Sequence, residues 1–335
     1  MTIGIGIIGF GFMGKTHLEA YQGAIRNGSD AQLVSVYSFD VDSTKSGNVE
    51  TGAADAVDLD SLGIHRADSL EELLTDDRVT AVSICTPTDT HVELASSAMR
   101  AGKDVLVEKP VALTPESIAE LSTVAEETGC LCMPAMCMRF WPGWSWLHDQ
   151  IRTGQFGPVI SARFQRIGAA PGWSQDFYGD ERRSGGALTD LHIHDVDFII
   201  STFGLPSQVS CSGSHDQMMS TFDYPDGPHS VTAEGAWYPV ANYPFQMRYR
   251  VCFSKVIADY DMAREGEELK LYSGDREEVI PLKETSGYQL EIEHFLSVVE
   301  NGVQPRTPNL REAEEVARWI QAEAVSLSSG DKASP

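Results

Sequence analysis

The chain opens on a continuous β-branched run, Ile3 to Phe10, which reads as a buried strand, and a helical pattern from about Met13 to Arg26 follows it. The alternation continues to residue 133. Ala31 to Phe39, Thr80 to Cys85, Asp104 to Val107 and Cys130 to Ala135 read as strands. Ser69 to Thr75, Thr90 to Arg100, and a segment opened by Thr114-Pro115 and stopped at Gly129 read as helices. Ser69 with Glu72 has capping-box spacing, while Pro115 and Gly129 sit where helices prefer to begin and end. Strands and helices joined by such short connections predict a parallel, doubly wound α/β sheet.

After about residue 150 the period changes. Pro158 to Arg166, Gln208 to Gly213, Met218 to Tyr224, His229 to Tyr238, Pro244 to Phe253, Val256 to Tyr260 and Glu268 to Tyr272 read as strands. In one of them Met247, Tyr249, Val251 and Phe253 alternate with Gln246, Arg248, Arg250 and Cys252. Turn residues such as Asp226-Gly227 separate the strands. This predicts an α+β domain with a large open-faced, mostly antiparallel sheet. Helices over about Tyr288 to Glu300 and Asn309 to Ser328 close the chain. The expected layout is an α/β domain over 1–133, the open-faced domain over 134–328, and a disordered tail over 329–335. Apolar strand faces beyond what two helices cover predict self-association as a homodimer or homotetramer.

Composition narrows the function. The chain has 335 residues, 42% of them hydrophobic, enough for two cores. No apolar run reaches the ~20 residues of a membrane helix, and the start carries no cationic signal region. Forty-nine acids against 25 bases leave a net charge of −24, which repels phosphate backbones and anionic lipid. Nucleic acid and membranes are thus not expected as partners; a small molecule in the cytoplasm is. The six cysteines read as reduced thiols, and Cys130, Cys132 and Cys137 lack zinc-knuckle spacing, so no metal is expected.

Gly9-Phe10-Gly11-Phe12-Met13-Gly14 joins the first strand to its helix, the context of a dinucleotide fingerprint. Gly9 would allow the tight turn, Gly11 the approach of a pyrophosphate, and Gly14 close packing of helix on strand. The same stretch also fits a phosphate-binding P-loop, Gly9 through Gly14-Lys15-Thr16. That reading wants a strand ending in a metal-binding Asp, and the candidate ends in Thr86-Pro87. A ribose-binding acid is expected at the end of the second strand, where either Ser38 or Asp40 takes the position, so NAD and NADP both stay open.

Glu108-Lys109-Pro110 ends a strand where ligands of such sheets bind, placing Lys109 for proton transfer. A second constellation is Gly185-Gly186 followed by Asp190, His192 and His194. A helix starting near Thr189 would put Asp190, His194, Asp197 and Ser201 on one face and turn His192 to the packed face with Val196, Ile199 and Phe203. An acid one turn before a histidine suits a proton shuttle, and the two glycines would let a ligand approach. A metal on Asp190, His192 and His194 requires a segment that is not helical. Trp141, Trp144, Trp173 and Tyr178 are candidates either for stacking on sugar faces or for the core.

Taken in order, Gly9 to Gly14 with His17, Thr86-Pro87 with His91, Glu108-Lys109-Pro110, Arg139-Phe140-x-Pro142, and Gly185-Gly186 with Asp190 and His194 resemble the glucose-fructose oxidoreductase / inositol dehydrogenase / MocA family over essentially the whole chain. The resemblance implies a Rossmann domain and hydride transfer between NAD or NADP and a secondary alcohol or ketone of a sugar, inositol or polyol. It implies Lys109, Asp190 and His194 as catalytic. It implies Gly9, Phe10, Gly11, Phe12, Met13 and Gly14, then Ser38 or Asp40, then Thr86, Pro87, His91, Glu108 and Lys109, as the cofactor site. Arg139, Trp141, Trp173, Tyr178 and His192 are substrate candidates. His192 stands where many members have a small residue, and Cys137-Met138 where many carry Asn. The alternatives are a non-catalytic NAD(P) or sugar sensor of the same fold and the P-loop enzyme.

Overall fold

The structure is a computed structural model that describes residues 2–38, 57–172, 175–303 and 307–335. Asp40 and Trp173, two of the candidate site residues, lie outside the described residues. The chain divides into two compact units, 1–137 with 287–315, and 138–286 with 316–335.

In the first unit the elements are β1 (Ile3–Ile8), α1 (Phe12–Arg26), β2 (Ala31–Tyr37), β3 (His65–Arg66), α2 (Leu70–Thr75), β4 (Ala81–Ile84), α3 (His91–Arg100), β5 (Asp104–Glu108), α4 (Pro115–Thr128) and β6 (Cys132–Ala135). The strands pair in parallel in the order β3-β2-β1-β4-β5-β6, the order of a Rossmann sheet. All six residues of β1 are buried, as a strand flanked on both faces requires. Ser69 caps α2 by accepting the Glu72 amide at 3.1 Å. Thr114 and Pro115 open α4, and Gly129 in a left-handed conformation closes it. The boundary expected at 133 omits a return. Ile292, Phe295 and Leu296 of α10 (Gly287–Asn301) join the core built on Ile5, Ile7, Leu18 and Tyr21.

The second unit contains α5 (Pro142–Thr153), β7 (Val159–Ala169), α6 (Gln175–Tyr178), α7 (Glu181–Ser184), α8 (Gly186–Asp190) and α9 (Ile193–Phe203). Strands β8 (Gln208–Ser214), β9 (Gln217–Asp223), β10 (Ser230–Tyr238), β11 (Gln246–Phe253), β12 (Ile257–Asp261), β13 (Leu269–Ser273) and β14 (Arg276–Ile280) follow. The last helix is α11 (Leu310–Ser329). The eight strands run β14-β13-β12-β11-β7-β10-β9-β8, antiparallel except for the central β7–β10 pair. Pattern reading left out β14, whose Arg276-Glu277-Glu278 start offers no apolar alternation.

Two expectations are corrected here. Met247, Tyr249, Val251 and Phe253 are each no more than 2% exposed, covered within the chain itself. Trp144 of α5 stands edge-on to Tyr249 and Tyr260, at 5.0 and 4.7 Å between ring centroids, and the Tyr249 hydroxyl donates to the Gly143 carbonyl at 2.9 Å. Trp144 is thus a core residue on a helix. The open face is instead a lattice of charge: Arg250 on Asp259 at 2.8 Å, Arg248 on Asp261 at 3.0 Å, Arg163 on Glu234 at 3.6 Å. The tail is also ordered. Ala333 and Val209 exchange backbone hydrogen bonds of 2.8 and 2.9 Å, and Ser326 donates its hydroxyl to the Asp331 carbonyl at 2.6 Å.

Candidate active site

The first unit gathers its candidates at the carboxyl ends of β1, β4 and β5. Gly9 has φ +89°, and a Cβ on it would lie 2.7 Å from the Cys85 carbonyl oxygen, so the turn after β1 admits glycine only. A Cβ on Gly14 would lie 2.1 Å from the Gly9 carbonyl, which fixes how α1 packs on the turn. Gly11 differs: nothing lies within 4 Å of where its Cβ would be. Gly11 also precedes the first turn of α1, which has no acidic residue. An open cradle before unpaired amides at a positive helix end fits a pyrophosphate. The P-loop alternative fails here, because the Thr16 hydroxyl is spent on the Phe12 carbonyl at 3.0 Å and Lys15 is 1% exposed. Ser38 follows β2 directly and is half-buried.

Two buried histidines brace the turn that carries Lys109. His17 of α1 places Nε2 2.8 Å from Glu108 Oε1, and Glu108 Oε2 accepts the Lys109 amide at 3.1 Å. Burial pushes the Glu108 carboxyl up, and His17 with Lys109 and His91 pulls it below the usual carboxylate value. His91 sets Nδ1 2.8 Å from the Pro110 carbonyl and Nε2 2.8 Å from the Thr86 carbonyl. It ties the ends of β4 and β5 together from an enclosed position. Burial lowers its pKa against the pull of those two carbonyls. The Lys109–Pro110 peptide is cis.

In the second unit the expected single helix from Thr189 is two. α8 ends at Asp190 and α9 begins at Ile193, with Leu191 and His192 between. Gly185 and Gly186 have φ +73° and +66°. A Cβ on Gly185 would meet Thr189 at 2.4 Å, and one on Gly186 would lie 3.3 Å from Asp216 Oδ1 in the β8–β9 connection, where the Leu188 amide donates to the His215 carbonyl at 2.9 Å and the Ala187 amide to Asp216 Oδ1 at 3.3 Å. Asp190 and His194 are partly exposed, while Leu191, His192, Ile193, Asp195, Val196 and Asp197 are buried. Asp197, expected on the face of Asp190 and His194, is 1% exposed and takes a two-point grip from Arg139, at 2.6 and 2.9 Å. That grip commits Arg139, a substrate candidate, to the protein. Asp195 is held the same way by Arg166 of β7, at 2.9 and 3.1 Å.

His192 lies wholly inside the unit, its Nε2 3.1 Å from Glu323 Oε1 of α11, as the packed-face expectation has it. Trp141 precedes α5, half-buried, and hydrogen-bonds to Tyr260. Tyr178 is half-buried, edge-on to Trp237 at 5.5 Å. Among the described residues no group of three metal-binding side chains occurs, and no helix is long and apolar enough to cross a membrane. Sequence reasoning assigned no partner to His17, Arg166 or Glu323. The His17 position on the buried face of α1 was a usable signal; Glu323 offered none.

A Rossmann sheet with a glycine cradle, joined to a unit built on an open eight-stranded sheet, defines a class of dinucleotide-dependent oxidoreductases. The chain belongs to the GFO/IDH/MocA family. The family's NAD-binding Rossmann oxidoreductase model matches residues 3–136, and its C-terminal domain model matches residues 144–257. Inositol 2-dehydrogenase of Rhizobium meliloti is 27% identical over 326 residues, 91% of either chain. UDP-N-acetylglucosamine 3-dehydrogenase of Acidithiobacillus ferrooxidans is 25% identical with a TM-score of 0.76, covering 98% of this chain and 99% of that one. Levoglucosan dehydrogenase, solved with NADH and levoglucosan, shares the fold at a TM-score of 0.80 and 19% identity, covering 100% and 99%. The chain is therefore an oxidoreductase that uses a nicotinamide dinucleotide.

Proposed function

We propose that the chain oxidises a ring secondary alcohol of a sugar, inositol or related polyol, and reduces the ketone in reverse, as a cytoplasmic homo-oligomer. The observation that carries this is the exposure of Asp190 and His194 within a segment otherwise buried and gripped by arginines. Partly exposed titratable groups on a rigid base suit proton transfer. The three relatives above are named for different substrates, and what those substrates share is a cyclic polyhydroxy body.

The dinucleotide, when bound, supplies the hydride acceptor or donor at its nicotinamide ring. Gly9 to Gly14 and the α1 terminus would hold its phosphates. Lys109 stabilises the developing alkoxide. His194 takes the hydroxyl proton, with Asp190 orienting its ring. Trp141 and Tyr178 would offer apolar faces to the sugar ring. The test is absorbance at the reduced-nicotinamide band across inositols, pyranoses and anhydrosugars with NAD and NADP. Turnover of at least one member supports the reading. Tight dinucleotide binding with no turnover of any would replace it with the sensor.

A further inference from the structure

His192 and Glu323 are both fully enclosed, lie 131 positions apart, and have no part in the chemistry proposed above. We propose that Glu323, acting through His192, is a positioning residue for Asp190 and His194: the pair is a charged latch between α11 and the junction of α8 and α9. The inference rests on the proposed function for the roles of Asp190 and His194.

The backbone of His192 is itself the junction. Its amide donates to the Ala187 carbonyl at 2.8 Å, completing α8, and its carbonyl accepts from Asp195 and Val196 at 3.0 and 3.1 Å, starting α9. Holding this side chain therefore holds both helices, and with them the last residue of α8 and the second of α9. β10 makes room for the ring with a glycine. A Cβ on Gly235 would lie 3.0 Å from His192 Nδ1 and 3.1 Å from its Cβ.

Stability is a poor rationale for the pair. Burying two charges costs several kcal/mol per ion, and a pair is retained more readily where it fixes register. This one is also incompletely satisfied, since His192 Nδ1 and Glu323 Oε2 have no hydrogen-bond partner. The other two anchors of the segment are arginine forks, charged at any working pH. The latch is the anchor that titrates. The charged groups around the ring are Glu323 of α11, Asp195 of α9 and Arg166 of β7. Burial and Arg166 oppose the imidazolium, and Glu323 with Asp195 outweighs them, so its pKa stands above the ordinary 6.5. The ionic latch is complete below that ordinary value and is lost as pH rises through the raised one.

The test is Glu323→Gln, which keeps size and hydrogen-bonding capacity but removes the charge, alongside Gly235→Ala, whose added methyl would press on Met218 Sδ and on the His192 side chain without altering any titratable group. Expected for Glu323→Gln is a kcat lower by about 10-fold or more, with dinucleotide affinity unchanged, since misplacement of catalytic groups acts on the chemical step. The alkaline limb of the kcat–pH profile should move about one pH unit toward acid, in step with the His192 ring titration followed by ¹⁵N NMR. Gly235→Ala should lower kcat and leave the limb closer to wild type, and Glu323→Asp should restore part of the loss. A lowered kcat with an unmoved limb in Glu323→Gln would make the pair merely structural and overturn the proposal, as would unchanged kcat in a variant that melts like wild type. Should the wild-type protein turn over no substrate, amide exchange across 190–197 still decides. Faster exchange in Glu323→Gln supports the latch, and equal exchange refutes it.

Discussion

The two units hold their candidate chemistry by different means. In the first, backbone does most of the holding, through a left-handed Gly9, an open cradle at Gly11, and His91 strung between the Thr86 and Pro110 carbonyls, with one buried pair, His17 on Glu108, behind the Lys109 turn. In the second, charge does it. Asp195, Asp197 and His192 are buried and reach Arg166, Arg139 and Glu323, which stand 29, 58 and 131 positions away. Backbone devices act within a few residues and tolerate changes of pH. Buried pairs act across the whole unit, and removing one partner strands a charge in a low-dielectric interior. The first unit should accordingly fail by losing ligand or chemistry while staying folded, and the second by losing structure.

The largest effect expected is on catalysis. Lys109→Ala should leave dinucleotide affinity nearly intact while kcat falls by about 10²–10⁴, the usual worth of an acid–base group. His194→Ala should fall comparably. Asp190→Asn should be milder if Asp190 only orients the ring. Near wild-type turnover in Lys109→Ala, with dinucleotide binding lost, would make Lys109 a binding residue and move the chemistry to the second unit.

Next in size is a stability effect confined to the second unit. Arg166→Met leaves Asp195 buried without its fork, which should cost about 3–5 kcal/mol in urea denaturation. The double variant Arg166→Met/Asp195→Leu should recover most of the loss, because both charges then leave together. A single variant as stable as wild type would show that the segment does not depend on buried charge.

The same contrast decides what the sequence made legible. The Rossmann half was readable because its signals are local: a β-branched run, glycines at fixed offsets, Thr114-Pro115 and Gly129 at the ends of α4. The antiparallel strands were readable from alternation, as in β11. Three misreadings share a cause in tertiary context. The helix expected from Thr189 breaks at Leu191–His192, where the Ala187 carbonyl accepts both amides and His192 packs against Glu323 on a distant helix. Tyr249 on the apolar face of β11 is covered by Trp144 of α5, whose position no pattern within the strand encodes. The tail pairs with Val209 through backbone atoms, to which composition is blind. Spacing singled out Asp190 and His194 as candidates, while Arg166, Arg139 and Glu323, the buried partners of their neighbours, left no sign in it.

A smaller effect is expected at the brace of the first unit. Glu108 has a folded carboxyl pKa below its ordinary 4.5, burial being outweighed by His17 and the neighbouring cations. A lowered folded pKa means that the stabilisation is present above the ordinary value and lost as pH falls through the folded one. The gap in urea midpoint between wild type and Glu108→Gln should therefore be widest near neutrality and close as pH falls below the ordinary 4.5 and through the lowered folded value. A gap that widens toward acid would reverse the assignment of charge at this brace.

The smallest effect on stability should come from the open face of the sheet, and it sharpens the comparison of buried with exposed charge. Arg250 pairs with Asp259 at 2.8 Å, but its side chain is 67% exposed. Such a pair is worth under about 1 kcal/mol, so Arg250→Ala should scarcely move the urea midpoint, against several kcal/mol for Arg166. The proposed self-association gives the same residue a second readout. With Met247, Tyr249, Val251 and Phe253 buried within the chain, any contact made through this face must use its charge lattice together with the exposed Ile257, Tyr272 and Val279. Light scattering on Arg250→Ala combined with Arg163→Ala should then show a smaller particle than wild type at micromolar concentration, with the fold intact by circular dichroism. An unchanged particle mass would free the face from that role, and a wild-type protein that is already monomeric would remove the homo-oligomer altogether.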